Sequence, residues 1–505
     1  MVVGMCNTDD FKFFKMNKIK LLKNILLVLP VLLLSGCEDF LSTEPDSTRA
    51  TINTPAQVSQ LLTTAYPQGG YVVFAESMSD NVEDKGRGED DKTNRGSYLF
   101  EEVEATVEEQ DSPDQYWAEC YRAISVANQA LDIISKSADQ SQYTAQRGEA
   151  LLARAYAHFM LVNYFSRFFD PQQPNTDPGI PYVTEPETVV LKNYERKTVA
   201  FVYQMIEQDL LEGLPLISDG TYTVPKYHFN RAAANAFASR FYLVKRDYAK
   251  VVEYANNVFQ GSSIADNLRP WNSTYASLSP QELWNIFARA NQNANLMLVE
   301  TASWFGRNAP QYRYGMTYRK WLEISASERI VNGSANWSYP LYYQGDNNYF
   351  IPKLFEYFVR ESVNADIGVG YVMLPIFTVE EVLFNRAEAN AYLGNTTASL
   401  ADINLFVGKR VENYNPSTHT VNAASMRRFF GTTNLRDGII NTILAFKRVE
   451  FVQEGMRWFD MQRYALPVTH ETVLGQVITV PATDPKRLLQ IPQSATLAGI
   501  ARNPR

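Results

Sequence analysis

Histidine is scarce in this chain: four residues in 505, and His158, His228, His419 and His470 stand far apart. Cysteine is scarcer still, with only Cys6, Cys37 and Cys120. No CxxC pair and no HExxH motif occurs, which removes the usual zinc constellations. GxSxG, P-loop and GxGxxG patterns are missing as well, so no motif-borne hydrolase or nucleotide chemistry is written here. Positive charge is in deficit, 47 Lys and Arg against 55 Asp and Glu, which argues against nucleic acid or anionic lipid surfaces as partners. The leader's apolar run is short. Ile25 to Leu34 gives ten residues interrupted by Pro30, whereas a membrane-spanning helix needs about 20.

What is present begins with that short run. Lys18, Lys20 and Lys23 precede it, and Leu34-Ser35-Gly36-Cys37 follows, the order of a secretory signal. Leu-Ser-Gly-Cys matches the lipobox of bacterial lipoproteins: small residues admit the peptidase, and the thiol accepts a diacylglyceryl group. The expectation is a signal peptide over residues 1–36, with Met16 as the true start and Cys37 as the lipidated residue. Residues 37–53 then form a polar tether. Loss of five Lys and two Asp with the leader takes the formal charge from −8 to −11 and leaves 469 residues. No disulfide pair remains after processing, so stability must come from a packed core.

Helical signals recur beyond the tether. Thr54-Pro55 and Ser112-Pro113 each pair an N-cap with Pro at the first helical position. Periodic apolar faces predict further helices over about 144–168, 198–214, 231–244 and 247–259. Ala153/Tyr156, Ser239/Tyr242 and Ala389/Tyr392 repeat a small residue three before a Tyr. That is the grammar of tetratricopeptide-like helix pairs, whose small residues let partner helices approach closely. The expected fold is mostly α, with helical repeats over about 54–260 and 375–465. Between them, about 261–370, the periodicity fails. Residues 301–350 hold twelve aromatics interleaved with Asn, Gln, Gly and Arg, too many for disorder and too irregular for a helix.

Fragments along the chain add up to a resemblance. They include the lipobox through Pro45, Met78-Ser79-Asp80-Asn81, Tyr116-Trp117, Glu149 to Tyr156 and Gly179 to Thr184. Lys197-Thr198-Val199, Arg448-Val449-Glu450-Phe451, Gly455 to Arg463, Ile491-Pro492-Gln493 and Asn503-Pro504 continue the series. In this order and spacing the chain resembles the SusD/RagB family, surface glycan-binding lipoproteins of Gram-negative gut bacteria. The resemblance implies one mostly helical SusD-like domain, 54–505, whose paired helices scaffold loops around a shallow glycan site. It also implies a SusC-like TonB-dependent outer-membrane transporter as partner, an oligosaccharide or polysaccharide as ligand, and no cofactor or catalysis. The implied location is the outer membrane, lipid-anchored and facing the cell exterior. One departure stands at Phe446-Lys447-Arg448, where members often carry Arg-Arg or Glu-Arg; Arg448 and Glu450 remain.

Sugars offer flat C–H faces fringed by hydroxyls, so their sites want exposed aromatic rings with polar side chains at the edge. The segments 80–94 and 301–350 supply that mixture, and in the family the site is built from loops in these two regions. The expected platforms are Trp304, Tyr312, Tyr314, Trp337, Tyr339 and Tyr342, with Arg87, Asn94 and Asn336 as polar partners. Arg457, Asp460 and Arg463 cluster as a catalytic site might, but Trp458 and Phe459 between them point to packing. Glu83 to Asp91 lacks the D-x-[DN]-x-[DN]-G calcium loop and reads as a solvated charge run. Peptide binding, as in RagB-like members, and glycoside hydrolysis by two of the many carboxylates are the competing readings.

Overall fold

The helices begin where the sequence places caps. In the computed structural model, which describes residues 52–187, 192–345, 347–360 and 362–505, α1 (Pro55–Leu62) starts at Thr54, closed by a capping box with Gln57. The signal sequence, Cys37 and nearly all of the tether lie outside the described residues. α2 (Val72–Ser77), β1 (Glu83–Asp84) and α3 (Lys92–Leu99) follow. Ser112 caps α4 (Pro113–Lys136), with Pro113 where a missing N–H costs nothing. α5 (Thr144–Phe165), α6 (Val199–Gly213), α7 (Arg231–Lys245) and α8 (Tyr248–Phe259) complete the first helical part. Neighbours pack in chain order, α4 on α5, α5 on α6 and α7 on α8.

The region without helical periodicity contains strands. β2 (Asn295–Ala302), β3 (Tyr314–Gly315), helix α9 (Tyr318–Ser325), β4 (Tyr342–Tyr343), β5 (Tyr349–Phe350), β6 (Glu356–Arg360) and β7 (Gly368–Thr378) run through it. β2, β7 and β6 form an antiparallel sheet in that order, with Val299 opposite Leu374 and Tyr357 opposite Tyr371. Helices α10 (Val379–Tyr392), α11 (Thr396–Val407), α12 (Leu435–Glu450) and α13 (Arg457–Arg463) close the core, and the hairpin β8 (Val468–Glu471) and β9 (Val477–Val480) follows.

The fold is mostly helical, as the sequence predicts, with a few small sheets where it predicts only irregular loops, and residues 53–505 form one compact unit. Ala153, Ser239 and Ala389 are fully buried, and the tyrosines three residues on do pack. Tyr156 meets Phe237 edge-on at 5.7 Å, Tyr242 stacks on Tyr254 at 5.5 Å, and Tyr392 on Tyr248 at 4.3 Å.

Charge also lies inside. Arg410, wholly buried, contacts Glu450 and Glu380 at 2.9 Å each, and the Arg269 amide donates to Glu380. Arg463 bridges Glu388 and Asp460, and Lys447 reaches Asp460 at 2.6 Å. Arg457 grips Asp80 with two bonds of 2.8 and 2.9 Å, while Arg448 donates to Asn81 Oδ1 and the Asp80 carbonyl. Burial alone would raise the Asp80 carboxyl; Arg457 and Arg448 outweigh it and hold it well below the usual range. Three of the fragments that carry the family resemblance, Met78–Asn81, Arg448–Phe451 and Gly455–Arg463, therefore meet in space and fix the chain at Asp80, where the loop surface begins.

Candidate functional site

From Asp80 the chain enters β1, which pairs with β3: Glu83 lies opposite Gly315, and Asp84 opposite Tyr314. The ladder continues as a bridge between Glu89 and Tyr312, with the Arg313 amide donating to the Glu89 carbonyl. Arg313 clamps Asp84 with two bonds, at 2.8 and 2.9 Å. Burial would raise the Asp84 carboxyl, but the Arg313 guanidinium and the Gly86 and Val473 amides bring it below its ordinary value. The two segments singled out from the sequence, 80–94 and 301–350, are thus zipped together by backbone and charge.

On one side of this zipper lies a row of tyrosines. Tyr318, Tyr349 and Tyr343 follow one another with ring centroids 5.3 Å apart at each step. Tyr318 is 49% exposed and Tyr343 61%. Tyr318 opens α9, where Thr317 caps the helix and donates its hydroxyl to Glu83 Oε2 at 2.6 Å. Tyr343 and Tyr349 sit opposite each other in the β4–β5 hairpin. The fringe is polar: Arg319 pairs with Glu83 at 3.2 Å, Lys85 bonds Asn348, and Asn347 Oδ1 receives the Tyr318 amide.

On the other side stands Trp304, 44% exposed, just past β2. Asp111 fixes its backbone by accepting the Ser303 hydroxyl and the Trp304 amide. Arg307 pairs with Glu356 and lies 5.9 Å over the ring of Phe358, itself exposed. Phe358 faces Gly370 across the ladder, so Trp304, Glu356 and Phe358 share one face of the sheet. Burial pushes the Asp111 carboxyl up to about 7; the Ser303 and Trp304 bonds oppose that shift, and the charges of Asp91 and Glu356 add to it.

Several expected site residues are placed elsewhere. Tyr312, Tyr314, Trp337 and Tyr339 are buried, and covered rings offer no face to a ligand; the platform expectation is corrected for all four. Tyr314 stacks on Tyr98 at 4.4 Å, Trp337 packs on Phe446 and donates to Ser327, and the Tyr339 hydroxyl bonds Glu450 inside the core. Asn94 is buried too. It bonds both the amide and the carbonyl of Tyr314, acting as a piece of strand rather than a ligand contact. Tyr342 is half-buried toward Phe350. Arg87 is exposed on the 86–91 turn. Asn336 is exposed, but its carbonyl is held by the Glu412 amide beside the Trp337–Val411 bridge. The Tyr318–Tyr349–Tyr343 row was not foreseen. Its signal was in the sequence: a Gly-Asx turn at 345–348 flanked by Tyr-Tyr and Tyr-Phe reads as a hairpin.

In the Gly455–Arg463 segment Trp458 and Phe459 are buried, and Arg457, Asp460 and Arg463 pair with Asp80, Lys447 and Glu388. Among the described residues no group of three His, Cys, Asp or Glu side chains gathers as a metal site requires. No helix among them is long and apolar enough to cross a membrane.

Exposed aromatic faces with a polar fringe are thus displayed by loops on a helical scaffold, as a candidate recognition surface. The family follows from the sequence comparison. A model for SusD-like proteins described as "starch-binding associating with outer membrane" matches residues 39–243, and the SusD family model matches 256–494. The chain belongs to the SusD/RagB family. A SusD superfamily protein from Bacteroides thetaiotaomicron is 19% identical, covering 90% of this chain and 100% of its own, with a TM-score of 0.63. A SusD-like carbohydrate binding protein from Bacteroides vulgatus is 16% identical over 88% and 96%, with a TM-score of 0.61. A laminarin binding SusD-like protein is 17% identical over 90% and 99%, with a TM-score of 0.56. At these identities the likeness is one of fold. Among curated proteins none matches.

Proposed function

We propose that this chain is a lipoprotein, anchored through Cys37 to the outer membrane and facing the cell exterior. It captures oligosaccharide or polysaccharide on the 83–91/304–358 loop surface and delivers it to a SusC-like TonB-dependent transporter, with no bond broken. The observation that carries the reading is the row Tyr318–Tyr349–Tyr343, exposed at both ends and half-buried in the middle, fringed by Glu83, Lys85, Arg319 and Asn347. Two ring steps of 5.3 Å match the spacing at which successive sugar rings stack on successive faces, and the fringe can trade hydrogen bonds with hydroxyls. Of the residues expected from the sequence, Trp304, Tyr342, Arg87 and Asn336 remain candidates, with Trp304 supplying a second platform.

The test is calorimetry against a panel of oligosaccharides of increasing length. Affinity should be micromolar to millimolar and rise with length; Tyr318→Ala and Tyr343→Ala should each cost about tenfold with melting unchanged. Release of reducing sugar during incubation would instead support a hydrolase. A peptide ligand is the second reading, because β6 is the sheet's edge strand and can accept an added strand. Binding of a peptide digest that no oligosaccharide displaces would favour it. Fatty-acid labelling of cells carrying Cys37→Ala, and protease shaving of intact cells, test the anchor and the orientation.

A further inference from the structure

The opposite face of the β2–β7–β6 sheet, that of Glu300 and Met373, floors a cleft of about 1000 Å³. One wall is α1, through Ser59, Thr63 and Thr64; the other is the 221–228 turn. The volume lies at the upper end of ligand pockets, roughly 300–1,000 Å³. Strand alternation puts this face on the other side of the sheet from Trp304 and Phe358, so the cleft is separate from the loop surface.

The wall is built for hydrogen bonding. Glu149, fully buried on α5, accepts the Tyr66 hydroxyl at 2.5 Å and meets His228 Nδ1 at 2.7 Å. That contact orients the imidazole and makes Nδ1 the inward nitrogen. Nε2 has no partner among the described residues, and His228 lines the cleft. Tyr222 stacks on His228 with centroids 4.2 Å apart and lines the cleft too. Its buried hydroxyl faces the Glu149 carboxylate, and burial together with that negative charge pushes the phenol up, so Tyr222 serves to hold the imidazole in place. Tyr227, 40% exposed, adds an aromatic face to the lining. No Lys or Arg lines the cleft, so an anion would find no counter-charge there.

We propose that this cleft is a second binding site, for a short neutral saccharide whose ring stacks on Tyr227 and one of whose hydroxyls reaches His228 Nε2. It does not depend on the loop surface: either site can fail alone. The experiment uses protein carrying Tyr318→Ala and Tyr343→Ala, with maltotriose, cellotriose, laminaritriose and mannotriose as probes and glucuronate and glucosamine as charged controls. Saturation-transfer NMR should detect at least one neutral trisaccharide and no glucuronate. Adding Tyr227→Ala should weaken that binding about tenfold. Thr63→Trp, at the exposed C-cap of α1, should narrow the cleft and weaken that binding at least tenfold without lowering the melting temperature. Binding of none of the four trisaccharides overturns the proposal. So does binding of glucosamine alone, or affinity unmoved by Thr63→Trp in a folded protein.

Discussion

Gly370 lies directly against Trp304: a Cβ built on the glycine would come within 2.6 Å of the indole Cδ1. The glycine leaves room for the indole against the strand, and the residue stays 44% exposed. Gly370→Ala forces the ring or the neighbouring Glu356 carboxylate to move. The expected outcome is a folded protein with altered tryptophan fluorescence and, for a glycan that uses this platform, affinity lower by about tenfold. Unchanged fluorescence and unchanged binding together would mean that the ring's seat does not matter.

Asn94 stands in for a missing strand beside Tyr314. Asn94→Ala leaves the Tyr314 amide and carbonyl without their partner, each buried polar group costing about 1–3 kcal/mol. Chemical denaturation should show a loss in that range. Sugar binding should fall as well, since β3 aligns the segment that leads to Tyr318. A variant as stable as wild type would show that the bonds are replaceable.

Arg410 is enclosed by Glu380 and Glu450. Removing one member of a buried ionic group strands the others, at a cost of about 3–5 kcal/mol. Arg410→Ala should therefore lower the melting temperature sharply, whereas Arg319→Ala, whose pair with Glu83 is exposed on the arginine side, should barely move it. Equal effects in thermal melts would contradict this ordering.

Asp111 should give stability a pH slope. Its carboxyl keeps a proton up to about 7 in the fold, against about 4 in the unfolded chain. The folded state therefore binds more protons in that window, and stability falls as pH rises from about 4 to about 7. Asp111→Asn removes this contribution. The melting temperature of the variant, relative to wild type, should climb across the same window; parallel curves would refute the assignment.

Much of the scaffold was legible because its signals are local. Thr54, Ser112 and Thr198 each cap the helix that their sequence position predicts. The sheet was not, because Asn295–Ala302 and Gly368–Thr378 read as apolar runs without helical period and pair across about seventy residues. The candidate site was legible in part. The composition of 80–94 and 301–350 singled out two segments, and β1 and β3 join them. Which aromatics face out was not legible, since burial of Tyr312, Tyr314, Trp337 and Tyr339 is decided by partners such as Tyr98, Phe446 and Glu450, more than a hundred residues away in most cases. Tyr318 and Trp321 stand three apart on α9, yet one is exposed and the other buried.

The joining of Asp84 to Tyr314 and Arg313, and of the Val473 amide to Asp84, has a consequence for the chain as it is made. The loop surface draws on residues separated by 389 positions, so the Val473 clasp on Asp84 is synthesised long after the strand it steadies. Contacts of such range form late and slowly. A product lacking the β8–β9 hairpin would retain most of its helices but lose that clasp, and the 83–91 turn would be the part of the surface to suffer first.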